Sequence, residues 1–394
     1  MKKLILALAA TTMMSTAAFA EDIKIGVFLG FTGPIESIVA NMGPGAELAI
    51  KEVSDSGALL GGSKVGSVRG DTTCVDAGAA TAAAERLITS DKVAAIVGGD
   101  CSGVTGATLQ NVARPNGIVM VSPSATSPGL STAEDDGLFF RTAPSDARQG
   151  VIVSNILNEK GVKEIAITYT NNDYGKGLAE AIQTNFEASG GKVTISAAHE
   201  DGKGDYSAEV GALAAAGGEV LVVAGYLDQG GKGVIQASLD SGGFDTFYLP
   251  DGMVGDALPE AIGDGLNGSY GANPGTDSPG AAKFQELAKA AGFDGSSPFA
   301  AESYDAAALI MLAMQAAGSS ESGKLKEKVI DVANAPGEEI FPGELEKALK
   351  ILKDGGEIDY VGASAVELIG PGESAGNYRE VEVKDGAISV VGYR

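Results

Sequence analysis

The sequence has no tryptophan, one histidine, two cysteines and few basic residues. Only 28 lysines and arginines stand against 52 aspartates and glutamates, which gives a formal net charge of −24 at pH 7. A surface with this balance repels nucleic acid and anionic membranes, so neither is an expected partner. A zinc site would need more ligands than two cysteines and a single histidine readily provide, so no metal site is expected.

Long apolar runs are scarce, and the N-terminus holds only a short one. Lys2 and Lys3 precede an apolar run over residues 4–10, and Ala18-Phe19-Ala20 then comes directly before Glu21. This order is typical of a cleavable secretory signal peptide over residues 1–20. A membrane anchor is the alternative, but the run is much shorter than the ~20 residues that span a bilayer. We therefore expect export to the periplasm without direct membrane insertion.

The length of the chain after the signal peptide predicts more than one lobe. Residues 21–394 exceed the ~250 to 300 residues that usually share one hydrophobic core. The two cysteines, Cys74 and Cys101, travel to an oxidising compartment, so a disulfide between them is favoured over two free thiols.

Short apolar segments alternate with helix-like segments, which predicts an α/β fold with parallel sheets. The expected strands begin at Ile23, Ala94, Gly117, Glu164, Lys192 and Glu219, and the expected helices include residues 76–90, 281–291, 300–317 and 343–353. The pattern occurs twice, from Ile23 to about Arg141 and from about Val151 to Leu249, so we expect two similar Rossmann-like lobes. Residues beyond 353 read as a strand-poor, glycine-rich tail that periodicity alone does not assign to a lobe.

Hydroxyl side chains follow two expected strands of the first series. "GDCSGVTG" comes after Val97 and "SPSATS" after Val121, and neither "DCSGVTG" nor "SPSATSP" contains lysine or arginine. In open α/β sheets, ligands bind beyond the carboxyl ends of the strands, where helix N-termini and hydroxyl groups suit an anion. Ser102, Ser122 and Thr126 therefore indicate a carboxylate held by neutral donors, although capping of helices and turns is an alternative role for them.

The corresponding strand ends of the second series carry an acid and aromatic rings. Asp251 follows Pro250 at one strand end, and Tyr174 and Tyr226 follow two others. A carboxylate in such a place can pair with an ammonium group, while the rings exclude water. A turn-forming role for Asp251 beside Gly252 is the alternative.

Motifs of enzymes are weak in this sequence, and we expect no catalysis and no cofactor. "GESAG", residues 372–376, matches the nucleophile-elbow pattern but lies in the glycine-rich tail, and no histidine follows it. "GDGLNG", residues 263–268, has the spacing of a dinucleotide loop but leads into no expected helix, and "GSSESGKL" has Leu325 where a phosphate loop needs Ser or Thr.

Taken together in order, several segments resemble the type I periplasmic solute-binding proteins of ABC importers, specifically the branched-chain amino-acid-binding (Leu/Ile/Val-binding) family. The resemblance rests on "EDIKIGVFLGFTGPIES", "GDTTCVDAGAA", "VGGDCSGVTGA", "VSPSATSPGL", "FFRTAPSDARQG", "NNDYGKGLA", "AGYLDQGG" and "LPDGM". It implies two hinged lobes that clasp a small molecule and present it to permease subunits in the membrane. It also implies the disulfide between Cys74 and Cys101.

The resemblance further implies the roles of single residues. The α-carboxylate of an amino acid would meet Ser102 and the loop of Ser124, Ala125 and Thr126, and the α-ammonium would meet Asp251. Tyr174 and Tyr226 would close over the ligand from the second lobe.

Several residues depart from the family pattern and keep the ligand open. Ile38 stands where an aromatic residue is usual, Glu36 lies close by in place of a small residue, and Asp100 replaces an apolar residue. Ser124 replaces a small apolar residue, and Asp251 is one methylene shorter than the usual glutamate. We expect Glu36 near the ligand. A small, polar or cationic amino acid, an amide or a related amino compound are the alternatives to a leucine-type ligand.

The lobes are expected to comprise residues 21–144 plus 271–360 and residues 145–270 plus 361–394, with a multi-segment hinge between them. A monomer is expected. Two other functions stay open at this point: a ligand-sensing module for a membrane receptor, which the same fold could serve, and a hydrolytic enzyme.

Overall fold

A computed structural model of the protein describes residues 22–394, so the expected signal peptide lies outside the described residues. Two main sheets carry the fold. The first consists of β1 (Asp22–Leu29), β2 (Lys64–Asp71), β3 (Ala95–Gly98), β4 (Met120–Ser122) and β5 (Phe139–Arg141). All neighbouring strands in it are parallel, in the order β2-β1-β3-β4-β5.

The second sheet repeats this order and then extends it. Its parallel part consists of β6 (Glu164–Thr170), β7 (Lys192–His199), β8 (Val220–Ala224), β9 (Phe247–Leu249) and β10 (Tyr270–Pro274). These strands lie in the order β7-β6-β8-β9-β10, which is the order of the first sheet. The repeat of apolar patterns in the sequence thus corresponds to a repeat of topology, as predicted.

The remaining strands form two short pairs and an antiparallel extension of the second sheet. β11 (Glu338–Ile340) pairs with β12 (Ile358–Tyr360), and β13 (Leu368–Ile369) pairs with β14 (Glu373–Ser374). β15 (Tyr378–Lys384) lies antiparallel to β10, and β16 (Ala387–Tyr393) lies antiparallel to β15.

Helices connect the strands and cover the sheets. They are α1 (Glu36–Ser56), α2 (Ala77–Thr89), α3 (Ser102–Thr108), α4 (Arg114–Asn116), α5 (Asp146–Glu159), α6 (Asp173–Ala188), α7 (Ser207–Ala216), α8 (Gly230–Ser241), α9 (Ala257–Ile262), α10 (Pro279–Ala291), α11 (Ala300–Ala317), α12 (Ser322–Leu325), α13 (Val329–Ala333) and α14 (Leu345–Lys353). Within residues 22–394, none is both long and apolar enough to cross a membrane.

Helix α11 returns the chain to the first sheet after β10. It is buried along nearly its whole length and packs against α1, β3 and β4. Close packing with α1 depends on Gly45, because a Cβ atom there would lie 2.5 Å from the carbonyl oxygen of Ala300. The first lobe is therefore built from two separate parts of the sequence.

The disulfide between Cys74 and Cys101 is present, as the sequence predicted. It joins the loop after β2 to the loop after β3, the two strands that flank β1. Both cysteines are buried. The bridge therefore fixes the edge of the first sheet from which ligand-binding residues are expected to project.

The C-terminal region corrects two expectations. The tail is not strand-poor, because it contains β15 and β16, and the second sheet is therefore mixed rather than parallel. The turn between them contains Asp385 with φ of 53° and Gly386 with φ of 73°, the left-handed pair that tight hairpins require. The segment "KDGA", residues 384–387, is typical of a short hairpin turn but does not belong to the βα pattern of the two series.

The pairing of β10 also bears on the lobe boundaries. β10 keeps residues 271–274 in the second sheet, whereas the sequence prediction placed them with the first lobe. The two strands of the tail belong to the same sheet. We propose that the chain crosses between the lobes at residues 142–145, 275–278 and 361–377, where it leaves one sheet or its covering helices for the other.

Candidate functional site

The loops that follow the inner strands of both sheets meet around one small cavity. In each sheet the strand order reverses between the second and third strands of the order, β1 and β3 or β6 and β8. The chain leaves these two strands to opposite sides, which opens a crevice at their carboxyl ends. The cavity is lined by Ile35, Ile38, Asp100, Cys101, Ser102, Ser124, Tyr174, Tyr226, Asp251, Gly252 and Phe299. Its volume open to water-sized molecules is about 20 Å³, so the two sides lie almost in contact.

Ser102 and Ser124 form the hydroxyl side of the cavity. Ser102 is the first residue of α3, where free backbone N–H groups favour an anion, and its Oγ accepts a hydrogen bond from the backbone of Ser127 at 3.1 Å. The Oγ of Ser124 donates to the backbone carbonyl of Asp100 at 3.1 Å. The hydrogen bond to Ser127 therefore ties the two expected carboxylate-binding loops together.

A buried arginine fixes the loop that carries Ser124. Arg141 is fully buried at the end of β5, and its Nη1 donates to the carbonyl oxygens of Ala125 and Ser127 at 3.0 Å each. Its Nη2 lies 2.5 Å from the carboxylate of Glu373, which balances the charge. The guanidinium thus holds the backbone of this loop, while none of the described residues that line the cavity is lysine or arginine.

Three of the predicted site residues do not line the cavity. Ala125 is buried, with its N–H donating to Ser122 and its carbonyl accepting from Arg141. Thr126 is also buried, and its Oγ1 has no hydrogen-bond partner among the described residues. Glu36 is exposed on the first turn of α1 and is not among the residues that line the cavity.

Asp251 and Tyr174 form the acidic side of the cavity. Asp251 is 1% exposed, and the hydroxyl of Tyr174 donates to its Oδ1 at 2.6 Å. The backbone N–H of Gly252 donates to the same oxygen at 2.8 Å. A Cβ atom at Gly252 would lie 2.8 Å from the Tyr174 hydroxyl oxygen, so this position needs glycine. The side chain of Gln149 also interacts with this carboxylate and lowers the pKa of Asp251 against the effect of burial.

Tyr226 stacks on Tyr174 and completes this wall. The ring centroids lie 5.2 Å apart with an angle of 15° between the planes. Asn172 Nδ2 donates to the Tyr226 hydroxyl at 3.3 Å, which leaves the hydroxyl proton available to another acceptor. Both rings are 4% exposed, and Asp251 beside them is also buried.

A second buried acid next to Asp251 was missed by the sequence analysis. Asp146 is fully buried, and neither of its carboxylate oxygens has a hydrogen-bond partner among the described residues. Burial raises the pKa of Asp146 well above its usual range, and the negative charge of Asp251 raises it further. Burial also raises the pKa of Asp251. Asp146 follows β5 within "PSDARQG", so the expectation that polar residues after strand ends bind ligands would have identified it.

Asp100 has a structural role that the sequence did not reveal. Its Oδ2 accepts from the backbone N–H of Gly30 at 2.6 Å, and its Oδ1 accepts from the hydroxyl of Thr72 at 2.7 Å. Both carboxylate oxygens are therefore used to hold the loops after β1 and β2. The presence of Asp100 therefore does not argue against a ligand with an apolar side chain.

Apolar side chains form the remaining wall. Ile35 and Ile38 come from the start of α1, and Phe299 comes from the residue before α11. Phe299 has a φ of 61°, a left-handed conformation that is uncommon for a large side chain. The sequence analysis missed Phe299 because it belongs to neither βα series. The backbone conformation turns this ring toward the cavity instead of along the helix.

No cluster of three or more His, Cys, Asp or Glu residues within 22–394 is arranged to hold a metal ion. His199, the single histidine, is buried at the end of β7, and its Nδ1 lies 2.8 Å from the hydroxyl of Thr168. Burial lowers the pKa of His199 to about 4. Ser374 of "GESAG" lies instead in the short strand β14.

Comparison with known proteins gives consistent matches along the chain. Residues 22–338 match the family described as periplasmic binding protein. An amino acid binding protein of Pseudomonas aeruginosa is 30% identical over 333 residues, covering 83% of this chain and 87% of that protein. A Leu/Ile/Val-binding protein homologue of Brucella abortus (strain 2308) is 32% identical over 323 residues, covering 80% and 84%. The crystal structure of a leucine binding protein from Thermotoga maritima superposes with a TM-score of 0.78 at 23% identity, covering 94% of this chain and 98% of that one.

Proposed function

Because the chain belongs to the periplasmic binding protein family, we propose that it is the substrate-binding component of an ABC importer for an amino acid. In this proposal the protein works in the periplasm, closes its two lobes around the ligand and delivers it to permease subunits. It releases the ligand unchanged, so it is not an enzyme and needs no cofactor.

The observation that carries this proposal is the opposed chemistry of the two sides of the cavity. On the side of the first sheet the Ser102 hydroxyl keeps its proton for a ligand, because its oxygen accepts from Ser127, and on the side of the second Asp251 offers a buried carboxylate. An amino acid has a carboxylate and an ammonium group on one carbon atom, so a single ligand can satisfy both sides. Burying either charge of the ligand without a partner costs several kcal/mol, so the cavity favours a ligand that carries both charges.

The charges around the cavity argue against a ligand that carries only a carboxylate. Among the described residues that line it, none is lysine or arginine, whereas Asp251 lines it and Asp146 lies behind. A simple organic acid would meet a negative potential there. An ammonium group, in contrast, would relieve the repulsion between the two aspartates.

The remaining wall favours an apolar ligand side chain. Ile35, Ile38 and Phe299 surround the part of the cavity that neither serine nor Asp251 occupies. The carboxylate of Asp100 is satisfied elsewhere, so it does not offer a site for a cationic side chain. The names of the relatives, an amino acid binding protein and a Leu/Ile/Val-binding protein homologue, agree with a small apolar or branched-chain amino acid.

A binding screen of purified residues 21–394 tests this proposal. The protein is first unfolded and refolded to remove any ligand acquired during expression, and is then mixed with L-alanine, L-valine, L-leucine, L-lysine, benzoate and putrescine. Thermal unfolding reports binding, since a ligand at 100 times its dissociation constant adds about 2.7 kcal/mol of stability. We expect stabilisation by at least one of the three apolar amino acids and none by benzoate. Stabilisation by benzoate alone would refute the proposed ligand class.

A further inference from the structure

The first turn of α1 is held by a residue from the other side of the cleft. Ile35, at the N-cap position of α1, provides no side-chain hydrogen bond to the helix. Instead, the Oδ2 of Asp228 accepts from the backbone N–H of Ser37 at 3.0 Å and from its hydroxyl at 2.8 Å. The backbone N–H of Asp228 donates to the carbonyl of Pro34 at 3.1 Å. Asp228 follows β8 of the second sheet, 191 residues away from Ser37 in the sequence.

These contacts join two walls of the ligand cavity. Ser37 lies between Ile35 and Ile38, which line the cavity from the first lobe. Asp228 comes two residues after Tyr226, which lines it from the second. A carboxylate at the first turn of a helix also interacts favourably with the free N–H groups there. Closing the cleft thus gives α1 a cap that its own sequence does not supply.

The cap of α1 differs from those of other helices because it comes from the opposite lobe. Distant carboxylates also accept from the first turns of α8 and α14, Asp201 from the N–H of Gly230 and Glu52 from the N–H of Leu345, but each belongs to the same lobe as its helix. Helices α2, α5, α6 and α10 begin with a cap from their own chain segment, namely Asp76, Ser145, Asn172 and Ser278. Asp228 itself is half-buried and lines no part of the cavity. Its contacts go to the opposite lobe and not to the space where a ligand would lie.

We infer that Asp228 is a positioning residue that latches the closed cleft and thereby holds the Ile35–Ile38 wall over the ligand. This inference rests on the proposed function, because it assumes that the cleft opens to exchange a ligand. In the open form the Asp228 carboxylate would be hydrated and the first turn of α1 would lose its cap. The latch therefore stabilises the closed complex after the ligand has entered and slows its release.

The experiment separates the latch from a general effect on folding. Asp228→Ala removes the acceptor, Ser37→Ala removes one of its two donors, and Asp245→Asn is the control. Asp245 is exposed on the same lobe, and its side chain is bonded only to that of the adjacent Thr246. Association and dissociation rates are measured by stopped flow with the tightest binder among L-alanine, L-valine and L-leucine. The intrinsic fluorescence of the stacked tyrosines is the signal, as the chain contains no tryptophan.

We expect Asp228→Ala to raise the dissociation rate about tenfold, as for loss of hydrogen bonds to a charged group, while the association rate changes less than twofold. Ser37→Ala should give about a threefold increase, and its effect should disappear when Asp228 is already alanine. Asp245→Asn should behave as wild type. If Asp228→Ala and Ser37→Ala each released the ligand at the same rate as Asp245→Asn, the latch would be overturned.

If none of the three amino acids binds the wild-type protein, the proposed function fails and the latch is tested by another measurement. Amide hydrogen exchange at Ser37 then decides, measured in the presence of whichever of L-lysine, benzoate and putrescine stabilises the protein, because its N–H donates to Asp228 only in the closed form. Exchange at this amide should be at least fivefold faster in Asp228→Ala than in Asp245→Asn. Equal exchange rates would show that the contact does not hold α1.

Discussion

At the scale of single residues, Asp251 carries the largest energetic consequence. Its carboxylate is buried at the cavity, and the two hydrogen bonds from Tyr174 and Gly252 both go to Oδ1. We expect Asp251→Ala to weaken binding of the preferred amino acid by ~3 to 5 kcal/mol, or ~100-fold or more in dissociation constant. Isothermal titration calorimetry measures the loss. A loss of less than fivefold would show that Asp251 does not meet the ligand's ammonium group.

Ser102→Ala serves as the milder comparison for the same measurement. It removes one neutral hydrogen bond among several to the carboxylate, so we expect a loss of ~1 to 2 kcal/mol. The contrast between the two variants follows from charge. An unpaired buried ammonium group costs far more than one missing donor.

Glu302 on α11 gives a residue-scale prediction about pH. It is 3% exposed, and burial raises its pKa from 4.5 to about 7. Between those two values the folded protein holds a proton that the unfolded chain has lost, so the free energy of unfolding falls as pH rises through that window. The decrease amounts to about 3 kcal/mol between pH 4 and pH 8.

Glu302→Gln isolates this effect because glutamine stays neutral at every pH. Compared with wild type at the same pH, the variant should be more stable to urea by up to about 3 kcal/mol at pH 8 and nearly equal at pH 4. Glu357→Gln, at an exposed position, is the matched control. If the free energies of unfolding of Glu302→Gln and wild type differed by the same amount at pH 4 and pH 8, the raised pKa of Glu302 would not be the cause.

Single residues of the site were predictable where they obey one rule, that polar groups at strand ends bind ligands. Ser102, Ser124, Tyr174, Tyr226 and Asp251 follow strands and do line the cavity. Phe299 was not predictable from this rule, because a long-range return of the chain brings it to the cavity. The hydrogen bonds of the Asp100 carboxylate were not predictable either, because its partners Gly30 and Thr72 lie in other loops.

At the scale of elements, most strands that the sequence predicted lie inside their sheets, and the exception is β7, an edge strand that was predicted from Lys192. β3, β4 and β8 are fully buried and read as short apolar runs, which is the usual signature of central parallel strands. β2 lies at the edge of its sheet and has exposed polar residues, so no apolar run marks it. β16 is likewise an edge strand and largely exposed. Hydrophobic pattern therefore identified central strands of both sheets and one edge strand, β7, but not the edge strands β2 and β16.

The disulfide is the element-scale feature with a measurable effect on stability. It closes a loop of about 28 residues, and the chain-entropy model gives about 3.5 kcal/mol for such a loop. We expect the double variant Cys74→Ala/Cys101→Ala to lose roughly 2 to 4 kcal/mol in urea unfolding. Reduction of the wild-type protein should give a similar loss. A loss below 1 kcal/mol would mean that the packed loops, and not the bridge, hold this edge of the first sheet.

At the scale of the whole molecule, the two sheets share one strand order, and this explains why one site forms between them. Each sheet opens a crevice at the same point of its order, after β1 and β3 or after β6 and β8. When the two crevices face each other, a hydroxyl-lined side meets an acidic and aromatic side. The sequence predicted both the repeat and a cleft between two lobes, but not the segments that return from one lobe to the other and bring the crevices together.

The small size of the cavity leads to a prediction about the motion of the lobes. A space of about 20 Å³ admits about one water molecule, so an amino acid can enter only when the lobes part. The contact of Asp228 with Ser37 would then break, and the proposed crossings at residues 142–145, 275–278 and 361–377 would bend. Ligand binding should shift this equilibrium toward the closed form, since only that form satisfies both ends of the ligand.

Small-angle X-ray scattering measures this shift directly. We expect the radius of gyration of the ligand-free protein to exceed that of the protein saturated with its amino acid, and the saturated value to match the closed structure. Asp251→Ala should stay at the larger value at the same ligand concentration, because the ammonium group no longer draws the second lobe onto the first. An identical radius with and without bound ligand would mean that the ligand enters by a local opening and that the two lobes do not move as bodies.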